Sequence, residues 1–370
     1  MEDLRAERSR GRAWVAAAAV LAAFAIGLFS GRRIETLLAR RPFDALRANE
    51  TLAGPQRDDA SRRRLARAFS DPAAAAREMD RYTWVPPLDP APFVGALPSP
   101  GTHANATIDS RGFRVDHEVG TPRPPGVVRV FLTGGSNAFG AGAPSLARTV
   151  SGYLGAALGR DVETITAANA AWTSTHERIL IENRLSELVP SVVIALTGTN
   201  DVYWGHRGED VLWMETNAEL AFREAIERAR GGPAPVRAER PPIATDVVAL
   251  RLAKNARLAA RALAPSAVYV LALQPTLATT KKRLSATERD IAARIPPGER
   301  AYFERAYAEL RVAVRRLEDE GVRFVDLSGV FDALDETTEI FFDPYHWADR
   351  GNELVAGELA KHVPLRAPPR

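Results

Sequence analysis

Residues 127–142, VVRVFLTGGSNAFGAG, constrain this chain more than any other stretch. Val128, Val130 and Leu132 alternate with other residues in the apolar run 127–132, which reads as a short buried strand. The run empties into Gly134-Gly135-Ser136-Asn137 and then, past Pro144, into the helical-looking residues 145–158. An open α/β sheet places its chemistry at such a point, the C-terminal end of a strand on a small-residue turn ahead of a helix. The turn lets backbone come close to a ligand, and the helix offers free N–H groups to negative charge. Ser136 is therefore the first candidate functional residue.

From residue 127 onward, strand and helix patterns alternate. The predicted strands are 127–133, 162–166, 191–196, 267–273 and 322–325; the predicted helices are 145–158, 175–188, 246–263, 298–320 and 349–362. This alternation implies a five-stranded parallel sheet covered by helices on both faces, an α/β three-layer sandwich. Right-handed crossovers leave few topologies, and the flavodoxin-like strand order is the expected one. Residues 205–245 break the rhythm, and Gly231-Gly232-Pro233-Ala234-Pro235 marks them as an exposed insertion or lid. Ser174-Thr-His-Glu177 has the form of a capping box, so Ser174 and His176 are read as a helix start.

The N-terminal part differs. Between Arg12 and Arg32 lie nineteen residues without a charge, AWVAAAAVLAAFAIGLFSG. At ~1.5 Å per residue a helix of that length reaches roughly 28 Å, enough to cross a bilayer core. A cleaved signal peptide would have a shorter apolar region and an A-x-A-like site, which Leu-Phe-Ser-Gly-Arg-Arg does not supply. Residues 13–31 are thus read as a single transmembrane anchor after a short tail, 1–12. Arginines on both sides leave its orientation open. Residues 32–107 read as a juxtamembrane helical and proline-rich linker, with the main domain over 108–363 and a tail at 364–370. Within the proline-rich region, IDSRGFRV at 108–115 looks like a short strand or turn with an aromatic anchor.

The formal net charge of +3 divides as +1 over residues 1–12, +4 over 32–81 and −2 over the rest. The basic excess lies ahead of the domain, which argues against a nucleic-acid partner. The chain has no cysteine, so disulfides and thiolate metal sites are excluded. His103, His117 and His362 have no partners at metal-ligand spacing, and no metal or cofactor is expected.

Three predicted strand ends carry unusual residues: Ser136 after the first, Gly198, Asn200 and Asp201 after the third, and, ahead of the last helix, Asp343 three residues before His346. A serine is a weak nucleophile until a base takes its proton and an acid orients that base. An aspartate three residues upstream, on a loop held by Pro344, can hydrogen-bond the imidazole. An asparagine amide can donate to an oxyanion, a contribution of about 3 kcal/mol in other enzymes. The turn after the first strand lacks the Gly-Lys-Ser/Thr of a P-loop, the G-x-G-x-x-G spacing and the G-x-S-x-G elbow.

Gly-Gly-Ser136-Asn-Ala-Phe-Gly140, Gly198-Thr-Asn200-Asp201 and Asp343-Pro-Tyr-His346 together resemble blocks I, III and V of the SGNH (GDSL-type) hydrolases, over roughly residues 108–363. That resemblance implies a flavodoxin-like fold and cofactor-free ester hydrolysis. It implies that Ser136 is the nucleophile and a backbone donor, Asn200 an oxyanion donor, His346 the base and Asp343 its orienting acid. The chain departs from the family pattern twice. Gly135 stands where aspartate is commoner, and Ala171, aligned through Trp172-Thr-Ser174, stands where block II offers a glycine N–H to the oxyanion hole. Alanine keeps the N–H but tolerates positive φ less well. Asn137, Asn169, Asp201 and Gln274 are candidate substrate contacts, with helix capping the competing role for Asp201. Asp326 is a rival acid, and His206 is read as a surface residue.

The expectation is an anchored serine esterase, or a related acyltransferase, acting on an acylated small molecule, glycan or lipid. An acetyl group on an envelope polysaccharide or lipid is the favoured case, with the domain outside the membrane. The competing expectation is a catalytically silent glycan-binding or assembly component. The sequence names no protein partner.

Overall fold

A computed structural model describes residues 58–83, 86–209 and 240–364, together with 223–224, 226–227 and 230–233. The chain divides into two units. Residues 1–47 with 221–235 form one, in which the described Glu227 and Arg230 pair at 3.3 Å. Residues 48–220 with 236–370 form the other, which carries the fold below.

Its elements in chain order begin with helices α1 (Asp59–Ala66) and α2 (Pro72–Tyr82) and the short strands β1 (Leu88–Ala91), β2 (Gly95–Pro98), β3 (Gly101–Thr102) and β4 (Thr107–Ile108). There follow β5 (Val128–Gly134), α3 (Ser136–Phe139), α4 (Val150–Leu158), β6 (Val162–Thr166), α5 (Ser174–Leu180), β7 (Val192–Thr197) and α6 (Thr199–His206). Beyond the insertion lie α7 (Thr245–Leu263), β8 (Val268–Leu273), α8 (Ala286–Ala292), α9 (Pro297–Arg315), β9 (Val322–Asp326) and α10 (Asp349–Ala360).

The five long strands form one parallel sheet in the order β6-β5-β7-β8-β9, as the alternation predicts. Central β7 is buried at all six positions, so its sequence reads as an unbroken apolar run instead of an alternation. The helices that cover the sheet pair as α4 with α10, and as α7 with both α5 and α9. The five predicted strands match within one or two residues. The helices differ more. The 145–158 pattern becomes a 3₁₀ turn and then α4, because Thr149 accepts the Gly152 N–H at 3.0 Å and starts a new helix there. The 175–188 pattern breaks into α5, a π turn and a 3₁₀ turn. The capping box is shifted one residue from the predicted one: Thr173 is the N-cap, and its N–H donates to Nδ1 of His176 at 3.2 Å.

The linker expected over 32–107 is a different structure where it is described. Leu65, Ala66, Phe69, Ala75, Met79 and Tyr82 are buried in the same core as the sheet. The Phe69 and Phe342 rings stack with centroids 5.8 Å apart, and Asp349 at the start of α10 accepts the Ser70 N–H at 2.9 Å. Alanines, prolines and arginines dominate the composition here, and the larger apolar residues fall where they cap the main core. The segment 108–115 lies on the edge of β6 through a bridge from Arg114 to Thr166.

The predicted anchor, 13–31, lies outside the described residues. Among the described residues no helix is long and apolar enough to cross a membrane. Most of the 205–245 insertion is also outside them, but its neck is closed: Ile243 N–H donates to Gly205 O at 2.9 Å, and Arg240 pairs with Glu209 at 3.3 Å.

Candidate active site

Ser136 opens α3 directly after β5, the turn before α5 follows β6, and Asn200 sits in the first turn of α6 after β7. Parallel strands end on one rim, so these three loops meet. Asn169 N–H donates to Gly134 O at 3.2 Å, and Asn200 Nδ2 donates to Trp172 O at 2.7 Å. The approach of Asn200 explains Gly135: a Cβ at that position would collide with Asn200 Nδ2. An aspartate could not stand here without moving the amide.

The fourth loop is an arch between Ile340 and Ala348, closed by Ala348 N–H to Ile340 O at 3.0 Å and Phe342 N–H to His346 O at 3.2 Å. At its tip Oδ1 of Asp343 accepts the N–H groups of Tyr345 at 2.7 Å and His346 at 2.8 Å. Its Oδ2 lies 2.7 Å from His346 Nδ1, and His346 Nε2 lies 2.7 Å from Ser136 Oγ. An ionised carboxylate only accepts, so the proton sits on Nδ1 and Nε2 is free to accept from the serine hydroxyl. Asn137 Nδ2 donates to Tyr345 O at 3.0 Å and ties the serine turn to the arch. The Phe342 ring stacks on His346 at 5.9 Å and limits its rotation. Ser136 is partly exposed between buried Gly135 and Asn137, so a reagent can reach the hydroxyl.

Ala171 has φ +63°, the left-handed region that an L-residue adopts only when its surroundings demand it. Its N–H has no acceptor among the described residues. Asn169 enforces the turn: its Oδ1 accepts the Ala170 N–H at 2.9 Å and its Nδ2 donates to Ala96 O of β2 at 3.2 Å.

The remaining candidates lie elsewhere or are engaged. Asn169 is buried and its amide is spent on that turn. Asp201 is wholly buried and accepts from the Ser174 N–H at 3.0 Å and the Ser174 hydroxyl, which places it at the N-terminus of α5. Desolvation pushes its carboxyl up to about 6, and the neighbouring buried Glu177 up to about 7. Gln274 is buried, with its backbone N–H on Thr197 O and its backbone carbonyl accepting from Tyr307 OH, both at 2.9 Å; these bonds do not engage its side-chain amide. Asp326 pairs with Arg311 at 2.7 Å. His206 is partly buried, 3.8 Å from Glu299, and burial lowers its pKa.

Two residues that hold this site are not among the sequence candidates, Arg114 and Glu288. Arg114 donates to Phe139 O at 2.9 Å, and Glu288 Oε1 accepts the Ile340 N–H at 2.9 Å. Each acts on a loop distant in sequence; Glu288 closes a local Ser-x-x-Glu capping box with Ser285, but that pattern marks a helix start and carries no information about the arch.

The sequence pattern of the GDSL-like lipase/acylhydrolase family matches residues 132–354, more than half of the chain. The chain belongs to that family. It is an ester hydrolase of the SGNH type. No curated protein matches the sequence. Among solved structures this SGNH hydrolase is similar to an aryl esterase of M. smegmatis, at 16% identity over 64% of this chain and 98% of the other, with a TM-score of 0.37. It is similar to a carbohydrate acetylesterase from Sinorhizobium meliloti, at 13% identity over 64% and 98%, TM-score 0.38. A GDSL-like lipase from Bacteroides thetaiotaomicron matches at 15% identity over 63% and 86%, TM-score 0.37.

Proposed function

We propose that this hydrolase cleaves or transfers an ester-linked acyl group through Ser136, His346 and Asp343. The supporting observation is the unbroken chain from Ser136 Oγ to His346 Nε2 and from His346 Nδ1 to Asp343 Oδ2, both 2.7 Å. Ser136 Oγ attacks the acyl carbonyl as His346 takes its proton. The carbonyl π electrons move to oxygen, giving a tetrahedral oxyanion. The N–H groups of Ser136 and Ala171 and the amide of Asn200 stabilise that charge. Asn200 keeps one amide proton on Trp172 O and has its second for the oxyanion. Collapse expels the alcohol, which receives its proton from His346, and leaves an acyl-serine. Water, or a sugar hydroxyl in a transferase, attacks that ester with His346 again as base; the adduct expels Ser136 Oγ, which takes the proton back from His346, and Asp343 keeps the imidazole in the reactive tautomer throughout.

For the substrate we infer an acetyl or other acyl ester on an envelope polysaccharide or lipid, with the domain on the outer side of a membrane and residues 13–31 as anchor. The uncharged nineteen-residue segment supports that reading. The test is labelling of the full-length protein by a membrane-impermeant fluorophosphonate, in detergent and on spheroplasts of producing cells. Labelling is expected in both settings, and it is expected to vanish in Ser136→Ala and to fall at least a hundredfold in His346→Ala. Folded wild-type protein that stays unlabelled in detergent would refute the triad. Labelling in detergent with none on spheroplasts would refute the outward placement.

A further inference from the structure

We propose that Arg114, which precedes the family-matched region, is a positioning residue that fixes the turn bearing Ser136; the proposal rests on the reading of Ser136 as nucleophile. Arg114 belongs to the 108–115 segment on the β6 edge, where its N–H donates to Thr166 O at 2.9 Å. Its side chain runs inward and is 1% exposed. Nη1 donates to Phe139 O at 2.9 Å and to Gly140 O at 3.2 Å, and Nη2 donates to Asn105 O at 2.8 Å. Its guanidinium carbon lies 5.1 Å from the centroid of the Phe139 ring.

No carboxylate among the described residues pairs with it, in contrast to buried Arg129, which has Glu163 at 2.7 Å. A buried cation without a counter-ion is unfavourable, and burial lowers this guanidinium to about 10, still charged at neutral pH. What it gains are Phe139 O and Asn105 O, which have no other donor among the described residues, and a share of Gly140 O, which also accepts the Ala143 N–H at 3.0 Å. Helix α3 is a single turn, and the carbonyls at its C-terminal end cannot be satisfied within it. The planar fork of an arginine spans these acceptors at once, whereas a lysine ammonium offers a point charge.

The turn is moulded around that fork. Gly140 sits at φ +98°, and a Cβ there would lie 2.8 Å from Nη1 and 2.6 Å from Thr149 Cγ2. Ser136 is the first residue of the same turn, and its carbonyl accepts the Gly140 N–H at 3.0 Å and the Ala141 N–H at 2.8 Å. If the exit of the turn shifts, Ser136 rotates away from His346. A misplacement of about 1 Å is worth on the order of a hundredfold in rate.

The test compares the second-order rate of fluorophosphonate labelling in full-length wild type, Arg114→Lys and Arg114→Met, each normalised to the folded fraction from near-UV circular dichroism and followed from pH 5 to 9. The expected result is a ten- to hundredfold slower rate per folded molecule in both variants, with the pH midpoint unmoved because His346 and Asp343 are untouched. A labelling rate per folded molecule equal to wild type in Arg114→Lys would overturn the proposal. So would a loss that the unfolded fraction alone accounts for, which would mark Arg114 as merely structural. Should Arg114→Met fail to fold, Arg114→Lys decides. Wild-type protein that does not label overturns the nucleophile reading itself, and this proposal with it.

Discussion

At Ala171 the chain holds φ +63° on a residue with a side chain. The left-handed conformation costs an L-residue roughly 1–2 kcal/mol. Asn169 supplies the compensation through four hydrogen bonds, to Gly134, Ala170, Ala96 and, across the turn itself, the Trp172 N–H at 3.4 Å. Replacing Ala171 by glycine removes that strain, against the ~0.5–1 kcal/mol of extra chain entropy that glycine carries in the unfolded state. Ala171→Gly is therefore expected to gain up to about 1 kcal/mol in urea unfolding and to keep wild-type labelling, since the N–H direction is unchanged. A loss of stability would mean that the turn does not impose positive φ. The hydrogen bonds of Asn169 are what let an alanine keep a left-handed backbone at this position.

The arch that presents Asp343 and His346 is held from below by α8, which starts with a Ser285/Glu288 capping box. Glu288 accepts Ile340 N–H at 2.9 Å and Phe341 N–H at 3.3 Å on one oxygen, and Ser285 N–H at 3.0 Å on the other. That second oxygen also pairs with Lys282 Nζ at 2.7 Å, and both side chains are fully buried. Lys282 further donates to Arg283 O at 3.0 Å and Asp335 O at 3.1 Å, so every proton of the ammonium is used. Removing one partner of such a pair leaves an uncompensated charge, at about 3–5 kcal/mol. Lys282→Met is expected to destabilise by that amount in denaturant unfolding, and Lys282→Met with Glu288→Gln to recover part of it. A single variant within 1 kcal/mol of wild type would show that the pair does not hold the arch.

Across the whole molecule, α1 and α2 act as part of the hydrolase core although they lie far ahead of the matched family region. Phe69 is 1% exposed, stacks on Phe342 at 5.8 Å, and Phe342 stacks on His346 at 5.9 Å. Gly142 N–H donates to Tyr82 O at 3.0 Å, which closes the loop after the serine turn against the same arm. Phe69→Ala leaves a cavity beneath the arch and is expected to cost about 3–5 kcal/mol by urea unfolding. A cost below 1 kcal/mol would return this arm to the linker it resembles by composition.

The sequence alone determined the sheet, its parallel order and the three blocks around Ser136, Asn200 and His346. Those signals are local: apolar runs set buried strands, and the residues at the strand ends sit within a few positions of one another in each block. Tertiary structure decided which polar residues face the cleft. Asn169 and Asp201 stand in the same loops as Ala171 and Asn200, yet their side chains are spent on Ala96 and Ser174, contacts 73 and 27 residues away. It also decided the supports, because Arg114, Glu288 and Phe69 act on backbone or rings 25, 52 and 273 residues distant. A side chain's local pattern records whether it is buried, but its partner is fixed only when the sheet brings separate loops to one rim.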